Sequence, residues 1–348
     1  MKENESEKIF SSTGSLGVTR RQDDRLYVNG THYVNDPLEV AVNFGRMTTI
    51  AAEFPDKIGR AVYRGAVSNE VVESIQDTKL ARYLEVALPL SEFIPEDNSW
   101  LIYLAKNHIG RGPIVPISTM IEETNRQREV SITPVERIDQ ILERGYQFRD
   151  NFSEAQIGQL YALWHDTFGW EKEQLESLRH RLDKTAQRNP AERDVWFSAV
   201  EDNDEIISAA MAERLTIPAN NRDLDLVEST EWRTKDGYEG QGLMTATLAM
   251  LNSQVLADLR FSPNGTPLIF AECNFQSRSD RAGHGAGLTV PDRVHAQQLI
   301  VQNVHIGDSA DVQQHLRDFS PMYLPMNQVV GHYSQENVDK IMQYRNAV

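Results

Sequence analysis

Short apolar blocks punctuate this chain from Arg25 onward, after a polar lead over residues 1–20 that reads as disordered. Leu26-Tyr27-Val28 and Thr48 to Ala52 come first. Tyr83 to Leu88 and Trp100 to Leu104 have the composition of strands, and Asn69 to Lys79 before them reads as a helix. Over 109–150 the pattern breaks at Gly110-Arg111-Gly112-Pro113, Pro116 and Pro134. Only two short helices are expected there, at Ser118–Arg126 and Pro134–Glu143. The stretch 111–150 is therefore read as a connector between an α/β domain over 21–110 and a second domain over 151–330, with 331–348 as a C-terminal tail or helix.

The second domain is better marked. Ser153 and Gln156 form an S-x-x-Q box, which satisfies free N–H groups at a helix start. Ile157, Leu160, Trp164 and Phe168 follow at helical spacing, and Gly169 is a stop. Lys172 to Ala186 reads as a second helix. Val195–Val200 and Ile206–Leu215 flank the turn-forming Glu201-Asp202-Asn203-Asp204 and read as a hairpin. Then come a strand over Leu224–Arg233, a helix over Leu243–Leu259 and a strand over Pro267–Cys273, with final strands expected within Val294–Ile306 and at Met322–Leu324. The fold class expected is α/β (α+β): a mixed, mostly antiparallel sheet flanked by helices, preceded by a smaller α/β domain.

Composition narrows the chemistry. The 348 residues allow two domains, and 40% hydrophobic residues allow each a core. A formal charge of −16, from 51 acidic and 35 basic residues, argues against nucleic acid or an anionic membrane as partner. It suits a small cationic substrate, and equally simple solubility. The single Cys273 rules out an intramolecular disulfide or a cysteine zinc site and is read as a buried structural thiol. A lead without an apolar core, and no apolar run of about eighteen residues, point to a cytoplasmic protein. No spacing of His with carboxylates suggests a metal.

The segment Gly237-Tyr238-Glu239-Gly240-Gln241-Gly242-Leu243 joins the strand ending near Arg233 to the helix beginning at Leu243. Glycines there let the backbone approach a phosphate at a helix N-terminus, where unpaired N–H groups and the helix dipole favour an anion. The spacing G-x-x-G-x-G is neither the phosphate loop of nucleotide hydrolases nor the dinucleotide fingerprint.

In its element order this segment resembles motif A of the GNAT superfamily of N-acetyltransferases. The resemblance covers about 150–325. Glu228-Ser229-Thr230-Glu231-Trp232-Arg233-Thr234, with Asp24-Arg25-Leu26-Tyr27 near the start, is similar more narrowly to β-lysine N-acetyltransferase-type proteins. The N-terminal domain would then be a degenerate copy of the same fold that closes the acceptor pocket.

The resemblance implies acetyl-CoA as donor, a small amine as acceptor and direct attack on the thioester. It implies a pantetheine arm between the fourth and fifth strands, against the backbone near Trp232, Arg233 and Thr234, with Asn274 as a further contact. Glu231, preferred, and Glu228 are the candidate bases; they fall on opposite faces of a regular strand unless a bulge intervenes. Three departures stand out: Gly237 replaces the usual Gln or Arg, Glu239 places an acid beside the phosphate site, and Gly283 aligns with the tyrosine that protonates the thiolate. Glu239 is expected to point to solvent or toward a Lys or Arg. His284, next to Gly283, is either a surrogate acid or a surface histidine. An acyl-CoA-binding sensor without turnover, and an acyltransferase for a protein or carrier-bound acceptor, are the alternatives.

Overall fold

A computed structural model describes residues 18–22, 25–53, 60–92, 98–107, 133–168, 172–187, 189–260, 262–274, 278–289, 300–302, 316–324 and 326–345. The first part holds β1 (Val18–Gln22), β2 (Arg25–Asn29), α1 (Pro37–Glu53), β3 (Arg60–Val67), α2 (Asn69–Gln76), β4 (Leu84–Pro89) and β5 (Trp100–Asn107). These strands form one sheet in the order β1-β2-β3-β5-β4, with β2 and β3 parallel and the other pairs antiparallel.

The second sheet has seven strands in the order β11-β12-β10-β9-β8-β7-β6. They are β6 (Gln147–Arg149), β7 (Val195–Asp202), β8 (Glu205–Pro218), β9 (Asp223–Thr234), β10 (Leu268–Asn274), β11 (Ile300–Gln302) and β12 (Leu316–Tyr323). Among them run α3 (Pro134–Glu143), α4 (Glu154–Phe168), α5 (Lys172–Gln187), α6 (Leu243–Leu259) and α7 (Arg278–Gly285), and α8 (Met326–Val330) and α9 (Gln335–Arg345) follow. Among the described residues of this sheet only β9 and β10 pair in parallel, across the α6 connection. The fold is thus mixed α/β, with two mixed sheets flanked by helices.

Local sequence explains the best-formed elements. Thr133 and Glu136 make a complete capping box at α3, with Pro134 at the first helical position. The Ser153–Gln156 box also closes, Ser153 N donating to Gln156 Oε1 at 2.9 Å. Asn203 and Asp204 turn the β7–β8 hairpin with φ of 49° and 65°, the left-handed pair that two-residue hairpins favour. Helix α6 is apolar nearly all round and is correspondingly buried, in contact with the sheet on one side and with α3 and α9 on another.

Strand alternation distributes the layers. Trp196, Ala210, Ala212, Val227 and Ile269 face α6, α7 and α9. Phe197, Ala199, Ala209 and Met211 face α4 and α5 on the opposite side. That same side carries Leu224, Leu226, Leu268, Phe270 and Tyr323, which pack directly on Tyr27, Val62, Leu101 and Tyr103 of the five-stranded sheet. One face of the large sheet is therefore shared between a helix pair and a second sheet. Helices α1 and α2 cover the far side of that second sheet.

Several expectations shift. The apolar run Thr48–Ala52 is the end of the seventeen-residue helix α1; β1, β3 and β6 are strands that the pattern did not mark, and β1 begins inside the lead read as disordered. Asn69–Lys79 is a helix to Gln76 and then a 3-10 turn over Lys79–Tyr83. The helix expected at Ser118–Arg126 lies outside the described residues.

Candidate functional site

The site begins where β9 loses a partner. Its parallel register with β10 runs from Leu226↔Leu268 to Glu228↔Phe270 and stops, while β10 continues to Asn274 beside β12. Among the described residues, no ladder pair joins β9 to β10 beyond Glu228. On its other edge β9 pairs Thr230 with Met211 but Arg233 with Ala209, so three steps on β9 oppose two on β8. This is a bulge, and Glu231 within it takes a φ of 56°. A left-handed non-glycine residue costs about 1–2 kcal/mol. Trp164, wholly buried in α4, donates its indole N–H to the Glu231 carbonyl at 2.8 Å and helps hold that conformation. The bulge also resets the side-chain alternation: Trp232 donates to Ser229 Oγ at 2.9 Å, three residues back on the same face.

Beyond Thr234 the chain enters the glycine turn. Gly237, Gly240 and Gly242 have φ of 89°, 76° and 79°. Gly242 is the N-cap of α6 and offers no side-chain cap, and the first turn of α6 holds no acid. A Cβ at Gly242 would be strained by its φ of 79° and would push aside the Arg137 guanidinium, whose Nη1 would lie 2.8 Å away. Arg144 donates to the Gln241 carbonyl at 3.0 Å and Tyr146 to Gln241 Oε1 at 3.2 Å, fastening the turn from behind. Tyr238 donates to Asp202 at 3.2 Å; burial first, then this bond, raises its hydroxyl above the ordinary phenol value.

A cavity of about 320 Å³ opens over this turn. Of the anticipated donor-binding residues, Trp232, Arg233, Thr234, Tyr238, Glu239, Gly240, Gly242 and Leu243 line it. Gln241 is turned toward Arg144 and Tyr146 instead. Asn274 ends β10 opposite Phe319, and its side chain, like that of Cys273, lies outside the described residues. The far wall comes from α7, through Arg278, Ser279, Arg281 and Ala282, with Met244 and Thr245 of α6 at the base. Those α7 residues escaped the sequence reading because only the packing of α7 brings them beside the turn. Two arginines after an Asn at a strand end were the available signal.

The acid and base candidates separate. Glu228 lies on the face covered by the five-stranded sheet, where its Oε2 is 3.6 Å from Nη1 of the buried Arg64. Arg64 is stacked over Tyr27, 4.5 Å from the ring centroid, and donates to Asn29 at 2.9 Å. Glu213, directly across β8 from Glu228, pairs with Arg181 of α5. Glu231 sits half-buried at the bulge. His284 is not on the surface: it is buried, with Nδ1 3.0 Å from the Leu288 carbonyl and Nε2 3.6 Å from Asp280. It does not line the cavity. Gly283 has a packing reason, since a Cβ there would lie 2.9 Å from Met322 and 3.1 Å from the Trp232 ring. Glu239 points to an arginine: its Oε1 is 3.3 Å from Arg278, and its Oε2 accepts the Gly237 N–H at 2.9 Å.

Among the described residues, no group of three His, Cys, Asp or Glu side chains could hold a metal ion, and no helix is long and apolar enough to cross a membrane. No family model and no curated protein matches the chain. Solved structures do. The N-acetyltransferase from Staphylococcus aureus Mu50 is similar at 10% identity over 52% of this chain and 98% of that one, with a TM-score of 0.37. The ribosomal-protein-S18-alanine N-acetyltransferase from Escherichia coli is similar at 12% identity over 52% and 93%, with a TM-score of 0.34. The GCN5-related N-acetyltransferase from Kribbella flavida is similar at 12% identity over 39% of this chain, with a TM-score of 0.28; the match spans 31% of its length.

Proposed function

We propose that this chain is an N-acyltransferase that moves an acetyl group from coenzyme A to the primary amine of a small amino-acid-like or diamine acceptor, in the cytoplasm. The observation that carries the reading is the parting of β9 from β10 beside a cavity floored by the uncapped N-terminus of α6. A diphosphate fits the glycine turn, and the pantetheine arm then runs along Trp232–Thr234 into the fork.

The amine nitrogen attacks the thioester carbonyl, the C–S bond breaks, and the sulfur leaves as a thiolate. Backbone N–H groups of the bulged end of β9 stabilise the oxyanion. Glu231 takes the amine proton, directly or through water. His284 does not line the cavity, so the thiolate takes its proton from water in the fork. The acceptor enters from the face covered by α5 and the five-stranded sheet, on the opposite side of the fork from the donor, where Glu228 and Glu213 are already paired with Arg64 and Arg181. In this reading the seven-stranded sheet and its helices are the catalytic unit, and 21–110 closes its acceptor side.

A module that binds acyl-CoA without turnover is the second reading, favoured by Glu239 in the turn and by Gly283 at the position of the family's acid. Calorimetry with acetyl-CoA tests the premise of both; no heat at millimolar ligand removes them together. Thiol release over a panel of diamines and amino acids then separates them, and turnover of a free diamine also counts against a carrier-bound acceptor.

A further inference from the structure

The acid at Glu239 lies at the cavity beside the glycine turn. One oxygen accepts the N–H of Gly237, the first glycine of the turn, and the other faces Arg278 across the mouth of the cavity. Both side chains line that cavity. The Glu239 side chain is about one quarter exposed and that of Arg278 about three quarters, so the pair can open without disturbing the core. A diphosphate offers the same chemistry as this carboxylate: anionic oxygens that accept from a backbone N–H and pair with a guanidinium. Helix α6 adds a favourable field for either anion, because its first turn has no acid and its N-cap no side chain.

We infer that Glu239 is a built-in competitor for the diphosphate of the donor, and that Arg278 is the side chain the two anions share. The inference rests on the coenzyme A reading. In the free protein Glu239 neutralises Arg278 and fills the turn. When donor binds, Arg278 transfers to the phosphates and Glu239 swings to solvent. The enzyme thereby holds its donor more weakly than a glycine turn with a free arginine would, and favours release of the coenzyme A product.

The sign of the effect makes the test sharp, since removing a side chain from the site should strengthen binding. Glu239→Gln keeps an acceptor for Gly237 and removes the charge; Glu239→Ala removes both. Each should bind coenzyme A about fivefold more tightly than the wild type in calorimetry, the scale of an exposed ion pair. Acetyl-pantetheine, which lacks the diphosphate, should bind all three alike. Arg278→Ala should weaken coenzyme A about fivefold, and Glu239→Ala in that background should gain much less. Unchanged or weaker coenzyme A binding in both Glu239 variants, at unaltered unfolding temperature, overturns the inference. Inorganic pyrophosphate keeps it separate from the acyltransferase reading. Tighter pyrophosphate in Glu239→Ala with no coenzyme A binding to any form supports the competitor and removes the donor assignment. No gain for either ligand removes the competitor.

Discussion

The described residues contain two strand–helix–strand crossovers with parallel strands, and they differ where function needs them to. In the first, β2 and β3 pair over five residues, Arg25↔Arg60 to Asn29↔Arg64, and remain joined beyond by Gly30 N to the Arg64 carbonyl and by the Val34–Val67 bridge. Its helix α1 satisfies its own start: Asp36 accepts the Leu38 N–H at 2.9 Å, and Glu39 in the first turn pairs with His32. In the second, β9 and β10 pair over three residues and part, and α6 begins on a glycine with neither cap nor acid. The first unit spends its helix N-terminus on its own carboxylates and its strand edges on each other. The second leaves its strand edge open and gives its helix start no side-chain cap. A crossover becomes a binding site when internal partners are withheld from groups that still need them.

That contrast can be broken at the seam. Arg64 of the zipped unit faces Glu228 at the last paired position of the forked one, and both are largely buried. Arg64→Met strands a carboxylate and should cost about 3 kcal/mol in urea unfolding. Adding Glu228→Gln should recover part of the loss, as a coupled pair requires; a double-variant loss equal to the sum of the two single losses would mean the two do not interact.

Glu231→Gln should lower kcat about a hundredfold with acetyl-CoA affinity nearly unchanged. An unaltered rate would transfer the base to Glu228. Gly242→Asp gives α6 the kind of self-capped start that α1 has. Donor affinity should fall by roughly thirtyfold, from lost helix-terminal donors and added repulsion, and calorimetry against Gly242→Ala separates charge from strain. Trp164→Phe removes one hydrogen bond to the bulge, worth about 1 kcal/mol of stability, and should reduce kcat severalfold while leaving acetyl-CoA affinity unchanged. The smallest effect is reciprocal: Asp36→Ala should cost about 1 kcal/mol in thermal unfolding and leave donor binding alone.

The legible parts of the sequence were those whose signal is local. Helix α6 was bounded by its glycine start and its largely apolar, proline-free run, and the hairpin by Asn203 and Asp204. The three residues of β6 carry too little pattern to mark a strand, which exists because Phe148 pairs opposite Val200. Helix α1 was visible only as Thr48–Ala52, because exposed Leu38 and Val42 blur its apolar stripe.

By itself the sequence determined the glycine turn, the helix behind it and the order of elements that makes a strand fork there conceivable. These depend on backbone conformation and hydrophobic period, which neighbouring residues encode. The bulge at Glu231, the approach of Arg278 to Glu239 and the reach of Arg64 to Glu228 were decided by the tertiary structure alone. A bulge is defined only against the register of its partner strand, and each ion pair joins residues that meet only when separate elements pack together.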